Sequence, residues 1–300
     1  MRVVVTGREG QVASALAERA RDDIEIVRLG RPELDLAGPP DAIVSAIGQA
    51  RPELIVSAAA YTQVDKAETE PDVAFAINER GARAVARAAS ELGVAIVHLS
   101  TDYVFDGLKS APYAEADSTR PTGVYGASKL AGEHAVLEEN ADSVVLRTAW
   151  VYSPFGSNFV KTMLRLGADR DEVAVVADQR GNPTNALDIA DGIIAVARNL
   201  AASDDPELRG VFHMAGSGEA SWAELAEATF AVSAARGGPS ATVRRIDTAE
   251  YPTAARRPEN SRLDCGKLAR VHGITLPDWH NVLERVVSRL LQPADSGGMT

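Results

Sequence analysis

Tyr125 and Lys129 stand four residues apart in the run Tyr125-Gly126-Ala127-Ser128-Lys129. On a helix that spacing brings both side chains to one face. A tyrosine hydroxyl can protonate a ketone oxygen as hydride reaches the carbon, yet a phenol's ordinary pKa of about 10 is high for work near neutrality. A neighbouring ammonium favours the phenolate, so Lys129 is expected to lower the Tyr125 pKa and to hydrogen-bond a nicotinamide ribose. A third group must hold the carbonyl oxygen. Thr101, just after the apolar run Ile96–Leu99, is the candidate. Taken alone, a Tyr and a Lys at this spacing are usually surface decoration. Here a sheet-edge Ser100-Thr101-Asp102 and a Pro121-Thr122-Gly123 helix start accompany them.

A second constellation lies upstream, where Gly7-Arg8-Glu9-Gly10-Gln11-Val12-Ala13 follows a strand pattern and opens a helix pattern. Gly7 permits a tight turn, Gly10 lets the backbone approach a pyrophosphate, and the helix N-terminus offers N–H groups and positive potential. Ala13 stands where a small residue lets the helix pack on the strand. The end of the second strand, Arg28-Leu29-Gly30-Arg31, has two arginines and no carboxylate. A carboxylate there would suit the ribose of NAD, whereas arginine suits the 2′-phosphate of NADP. Arg31 therefore points to NADPH, with NADH left as the alternative and a solvated surface as the plain reading of both arginines. Asp35-Leu36 would flank the adenine.

These groups need a scaffold, and the hydrophobic pattern supplies one. Arg2–Val5, Ile24–Leu29, Leu54–Ser57, Ile96–Leu99 and Val144–Leu146 read as strands buried on both faces. Gln11–Ala20, a helix from Pro39-Pro40 to Gln49, Pro71–Leu92 and Gly126–Glu139 alternate with them. This order predicts an α/β fold, a Rossmann doubly wound parallel sheet, with a smaller C-terminal α/β substrate domain. The expected nucleotide-binding domain is 1–150 plus about 187–214, and the expected substrate domain is 151–186 with 215–292. Within those, Asn158–Leu166, Asp188–Leu200, Trp222–Val232 and Leu276–Leu291 read as helices, and Val173–Val176 and Val211–Met214 as strands. Ser221 and Glu224 form a capping-box pattern, and 293–300 reads as a frayed tail.

The bulk properties narrow the function classes. The chain has 300 residues, is 45% hydrophobic and 24% charged, and carries a formal charge of −11, which disfavours nucleic acid as a partner. An anionic small substrate needs only local arginines and helix N-termini. One cysteine, Cys265, cannot form an intrachain disulfide and fits a reducing compartment. Met1-Arg2 runs directly into Val3-Val4-Val5, so no secretory leader is expected. No apolar run approaches the roughly 18 to 20 residues of a membrane span. A cytoplasmic location follows as the expectation.

Together these residues resemble the extended short-chain dehydrogenase/reductases, and within them the dTDP-4-dehydrorhamnose reductase family. The resemblance spans nearly the whole chain. Besides Gly7–Gln11 and Tyr125–Lys129, it includes Ala58-Ala59-Ala60-Tyr61-Thr62, Val64-Asp65-Lys66-Ala67-Glu68, Ser100-Thr101-Asp102-Tyr103-Val104-Phe105-Asp106-Gly107, Arg147-Thr148-Ala149-Trp150-Val151-Tyr152 and Arg257-Pro258-Glu259-Asn260-Ser261-Arg262-Leu263. It implies reduction of a dTDP-linked 4-keto-6-deoxy sugar by NADPH, with Thr101, Tyr125 and Lys129 as catalytic triad. It also implies a cofactor lining of Gly7, Gly10, Gln11, Val12, Arg31, Asp35, Leu36, Ala60, Tyr61 and Thr62. Asp102 and Trp150 would meet the sugar, Trp150 as an apolar face for a deoxysugar methyl group, or simply as a core tryptophan. Asn158 and Arg257 would meet the nucleotide phosphates. Two departures stand out: the family usually has Asn where Ser57 stands, and commonly His at the position of Tyr61. Family members are also associated with a divalent ion at a dimer interface, so Mg2+ and a homodimer stay open, but no ligand-spaced cluster names a metal ligand.

Two other readings share these motifs. Sugar-nucleotide 4,6-dehydratases follow the catalytic Thr with Asp-Glu, whereas Tyr103 follows Asp102 here, leaving the elimination machinery incomplete. Epimerases differ by retaining tightly bound NAD. A non-catalytic NADP-binding regulatory subunit would carry a damaged active site, and Thr101, Tyr125 and Lys129 are all present.

Overall fold

A computed structural model of the protein describes residues 1–292, so the expected tail at 293–300 lies outside the described residues. Its longer strands are β1 (Arg2–Thr6), β2 (Glu25–Leu29), β3 (Leu54–Ser57), β4 (Ala95–Thr101), β5 (Ser143–Thr148), β6 (Glu172–Val176), β7 (Gly210–His213) and β8 (Thr242–Ile246). The main helices are α1 (Gln11–Arg19), α2 (Pro40–Gln49), α3 (Ala82–Leu92), α4 (Val124–Glu139), α5 (Phe159–Asp169), α6 (Ala186–Ala202), α7 (Trp222–Ala234), α8 (Gly266–His272) and α9 (Trp279–Leu291). Six strands form one parallel sheet in the order β7-β5-β4-β3-β1-β2. The chain leaves β1 toward β2 and returns on the other side at β3, which opens a crevice beyond the C-terminal ends of β1 and β3. Ligands bind at such a reversal in doubly wound sheets.

Both faces of the sheet are covered. Val3, Val5, Val56, Val97 and Leu99 pack against α1 and α6, while Ile55 and Ile96 pack against α2 and α3. Strand alternation then places His98 and Ser100 on the same side as Ile96, facing α4. Burial of those polar side chains is the first sign that this side of the sheet does more than pack. The later elements gather around α5, α7 and α9, joined by Tyr152, Val160, Leu225, Trp279 and Val286, with β6 and β8 paired in parallel beside them. The expected capping box holds α7: Glu224 N–H donates to Ser221 Oγ at 3.1 Å and Ser221 N–H to Glu224 Oε2 at 2.6 Å. Among the described residues, no helix is long and apolar enough to cross a membrane.

Two features depart from the sequence pattern. The helix expected over Pro71–Leu92 contains one wide turn at Ala76–Gly81, between Pro71–Phe75 and α3. That turn brings Asn78 to Tyr61 and Ser128, and such single wide turns accompany functional sites. The strand β8 carried no hydrophobic alternation strong enough to be expected: only Ile246 of its five residues is buried.

α4 lies unusually close to its neighbours. A β-carbon on Gly126 would sit 2.2 Å from the Tyr103 carbonyl oxygen, and one on Gly132 2.1 Å from that of Asn78. Both contacts are with backbone, which cannot rotate away. Gly132→Ala should therefore cost about 1–3 kcal/mol of stability by overpacking; a urea midpoint equal to wild type would show that α4 is less tightly seated than described.

Candidate active site

The glycine turn is built from three local choices. Gly7 adopts a positive φ of +102°, a conformation open to glycine at little cost. Its neighbour across the crevice is Ala59, whose β-carbon would be 3.5 Å from one added to Gly7. Gly10 precedes α1 with extended backbone and no side-chain cap, so the first N–H groups of α1 are left for a ligand. Thr6 Oγ1 accepts from Ala58 and Ala59 N–H at 3.0 Å each, fixing the two strand ends against one another. A cavity of about 730 Å3 begins there, lined by Gly7, Gly10, Gln11, Val12, Ala60 and Thr62, and runs to Thr101, Asp102, Tyr125, Lys129 and Trp150.

Thr101, Tyr125 and Lys129 meet on one wall of this cavity. The Thr101 hydroxyl donates to Asp102 Oδ1 at 2.9 Å, and Thr101 and Tyr125 line the same cavity. Burial pushes the Tyr125 phenol up to about 12, the Thr101 hydroxyl lowers it in part, and the Asp102 charge raises it further. The expected lowering by Lys129 is therefore corrected: its Nζ donates to the Leu99 carbonyl at 2.6 Å and lies 3.3 Å from His98 Nε2. Burial brings Lys129 itself down to about 8, partly opposed by the Glu133 charge.

α4 reaches this wall through a set of buried polar contacts. Glu68 Oε1 accepts from Val124 N–H at 2.8 Å, so a carboxylate distant in sequence caps the helix start. Asn78 bonds the Tyr61 N–H and carbonyl and donates to Ser128 Oγ at 2.9 Å, joining the loop after β3 to α4. One turn beyond Lys129, Glu133 takes Arg147 in a two-point pair at 2.9 and 2.6 Å and accepts from Ser100 Oγ at 2.5 Å.

Asp102, next to Thr101, and Trp150 complete the lining. Asp102 is almost fully buried, its carboxyl pushed up to about 6 by that burial, and its Oδ2 has no protein partner. Trp150 has a positive φ of 47°, a rare state for a bulky residue. It stacks on Trp222 with ring centroids 3.6 Å apart and donates from Nε1 to Ser261 Oγ at 3.1 Å. Gly181 leaves the space its indole needs, since a β-carbon there would lie 2.4 Å from the ring. Trp222 also lines a second cavity of about 430 Å3, with Phe159, Met163, Val175, Tyr251 and Arg257.

Several expected site residues do other work. The Gln11 side chain faces the later half of the chain: Nε2 donates to Val151 O, and Oε1 accepts from Ser153 and Asn158. Asn158 caps α5 through Lys161 N–H and spends its amide protons on Gln11, Ser153 and Phe155, so the expected phosphate contact is corrected to a structural cap. Arg257 makes a two-point pair with Asp65 at 2.9 and 2.7 Å, which accounts for the acidic residue of the Val64–Glu68 block. Tyr61 turns its hydroxyl to Glu70 and lies off the cavity wall, between Ala60 and Thr62, which are on it. Leu36 is packed with Ile43, Ile47 and Val85, and Asp35 closes its own turn onto Ala37 and Gly38. Arg31 stands at the end of β2, its carbonyl accepting from Arg8 Nη1 at 3.5 Å. Arg8, Glu68, Asn78, His98 and Ser261 were not singled out from sequence, because each acts through a partner tens of residues away. Among the described residues, no cluster of His, Cys, Asp or Glu is arranged to hold a metal ion.

Comparison with known proteins places this cleft in context. The family described as RmlD substrate binding domain matches residues 1–292. The dTDP-4-dehydrorhamnose reductase of Sinorhizobium fredii is 54% identical over 291 residues, 97% of this chain and 98% of that protein. A dTDP-4-dehydrorhamnose reductase crystal structure from Clostridium acetobutylicum superposes with a TM-score of 0.90 at 33% identity, covering 97% of this chain and all of that one. The Bacillus anthracis dTDP-4-dehydrorhamnose reductase, solved in complex with NADP, superposes with a TM-score of 0.88 at 37% identity, covering 96% and 99%.

The Glu133–Arg147 pair offers a direct check of the polar layer under α4. Glu133→Leu leaves Arg147 buried without its counter-charge and should cost about 3–5 kcal/mol. Adding Arg147→Met should recover much of that loss in urea unfolding; a double variant no better than the single would mean the pair is not what the layer rests on.

Proposed function

The chain belongs to the dTDP-4-dehydrorhamnose reductase family, and from that premise we propose how its cleft reduces the 4-keto group of dTDP-4-dehydro-L-rhamnose to the alcohol of dTDP-L-rhamnose. The observation that carries the reading is the convergence of Thr101, Tyr125 and Lys129 on a cavity that starts at the uncapped N-terminus of α1. An open glycine turn with free N–H groups suits the pyrophosphate of a dinucleotide, and a reduced nicotinamide bound in this cavity supplies the hydride. In this reading 1–150 with 187–214 form the cofactor half, and 151–186 with 215–292 the substrate half.

The chain's own residues account for the proton. Hydride arriving at the 4-carbon leaves negative charge on the ketone oxygen. Tyr125, held up near 12, is fully protonated at neutrality and gives its proton to that oxygen. Thr101 turns its hydroxyl to the same oxygen and stabilises the charge while it develops. The Lys129 ammonium keeps positive charge in the cavity as the phenolate forms, until Tyr125 regains a proton from solvent. Asp102 Oδ2, buried without a partner, is available for a sugar hydroxyl, and Trp150 provides the apolar face. The nucleotide extends past the Trp150–Trp222 stack toward the cavity holding Phe159, Tyr251 and Arg257. Arg8, ion-paired with Glu33, and Arg31 put two guanidinium groups at the end of β2, and the NADP bound by the Bacillus anthracis relative supports NADPH there.

The deciding experiment follows NADPH oxidation with dTDP-4-dehydro-L-rhamnose made in situ and identifies the product by NMR. Tyr125→Phe should lower turnover by roughly 10²–10⁴ while NADPH binding survives. Near-wild-type turnover in that variant would remove the proton donor from the mechanism. Arg8→Ala or Arg31→Ala should weaken NADPH by about 10- to 150-fold, the worth of a charge-assisted phosphate contact, and leave NADH nearly untouched. Equal use of the two cofactors by the wild type would overturn that preference.

A further inference from the structure

Beneath Lys129, on the side away from the cavity, lies a pair of side chains that the mechanism does not use. His98 of β4 and Ser57 of β3 are cross-strand partners in the sheet, and each is only 1% exposed. Lys129 Nζ is 3.3 Å from His98 Nε2, and His98 Nδ1 is 3.0 Å from Ser57 Oγ. We infer that His98, backed by Ser57, is a positioning residue that holds the Lys129 ammonium in place and in its charged form. The inference rests on the catalytic reading of Tyr125 and Lys129 given above.

An ammonium has donors only. His98 Nε2 must therefore present its lone pair to Lys129, which puts the ring proton on Nδ1, and Ser57 Oγ is the acceptor that proton needs. The imidazole has to be neutral for this, and it is: burial, reinforced by the Lys129 charge, holds its pKa well below the usual value. One Lys129 N–H goes to the Leu99 carbonyl, a second to His98, and the third is left for the cavity. The ammonium is thus aimed by two fixed acceptors on a β-strand rather than by its own flexible stem.

The same contact bears on charge. Burial favours neutral Lys129, and a hydrogen bond to the charged form opposes that. The other charged or titratable groups around it come from three elements. Glu133 on α4 is committed to Arg147 of β5 and to Ser100, Tyr125 stays a neutral phenol, and Asp102 beyond β4 is turned to Thr101. The His98 lone pair is the acceptor touching Nζ that belongs to a replaceable side chain.

The test is the pH dependence of kcat between pH 6 and 10, with saturating NADPH and keto sugar. The wild type should lose activity as pH rises through about 8, where Lys129 gives up its proton; Tyr125, near 12, stays protonated across that range. His98→Phe removes the acceptor, destabilises the ammonium, and should move this alkaline limb about one unit lower, with roughly fivefold less activity at pH 8. His98→Gln, whose amide oxygen can reach toward the place of Nε2, should move it back toward the wild type. Ser57→Ala, a gentler change, should shift it in the same direction as His98→Phe by less, and it decides the matter if His98→Phe does not fold. A limb unmoved in Ser57→Ala and His98→Phe, or a His98→Gln protein as shifted as His98→Phe, overturns the positioning role. Lys129→Met separates the two levels: if it retains turnover the catalytic reading itself fails, and if it abolishes turnover while the limb of His98→Phe stays put, only the His98 inference fails.

Discussion

The site depends on how closely α4 can approach the rest of the molecule. Tyr125 and Lys129 share a face of that helix, but their position relative to β4 is set by Gly126 and Gly132, which bring its backbone against the carbonyls of Tyr103 and Asn78. Any larger residue would push the helix outward, and an outward shift of even an ångström separates a proton donor from the oxygen it must reach. Glu68 then anchors the helix start and Asn78 its middle. The catalytic wall is rigid because backbone, not side-chain packing, meets backbone.

Close approach has an electrostatic consequence. The space between α4 and the sheet holds Lys129, Glu133, His98, Ser100 and Arg147, all buried. A hydrophobic layer would be at least as stable, since buried ion pairs seldom repay their desolvation. The polar layer makes functional sense instead. It surrounds a buried lysine with acceptors and an opposite charge, and it fixes the direction of that ammonium through Leu99 and His98.

The two halves of the chain communicate at a few specific contacts. Gln11, from the glycine turn, is bonded to Val151, Ser153 and Asn158, so the turn that begins the cavity is tied to the segment that follows β5. Asp65 and Arg257 tie the loop after β3 to the segment before α8. Arg289 and Glu18 do the same between α9 and α1. The strained backbone of Trp150, which lines the same cavity as Tyr125, is kept in place by Trp222, Ser261 and the bare Gly181.

Periodicity and local spacing alone determined the parallel sheet, the glycine turn, the Tyr125/Lys129 face and the capping box at Ser221, because each is written in residues within a turn or two of one another. The family-specific blocks pointed to the reaction. Only the tertiary structure decided what the long-range polar residues do. Asn158 and Gln11 look like ligand-binding side chains in sequence and turn out to bond each other; Asp65 and Arg257, 192 residues apart, are partners. Spacing points to a Tyr125 pKa lowered by Lys129, whereas burial raises it and the Lys129 ammonium is hydrogen-bonded to Leu99 and lies against His98. Spacing along a helix says which side chains share a face. Where a flexible side chain directs its charge is settled by acceptors that arrive from other strands, and those exist only once the chain has folded.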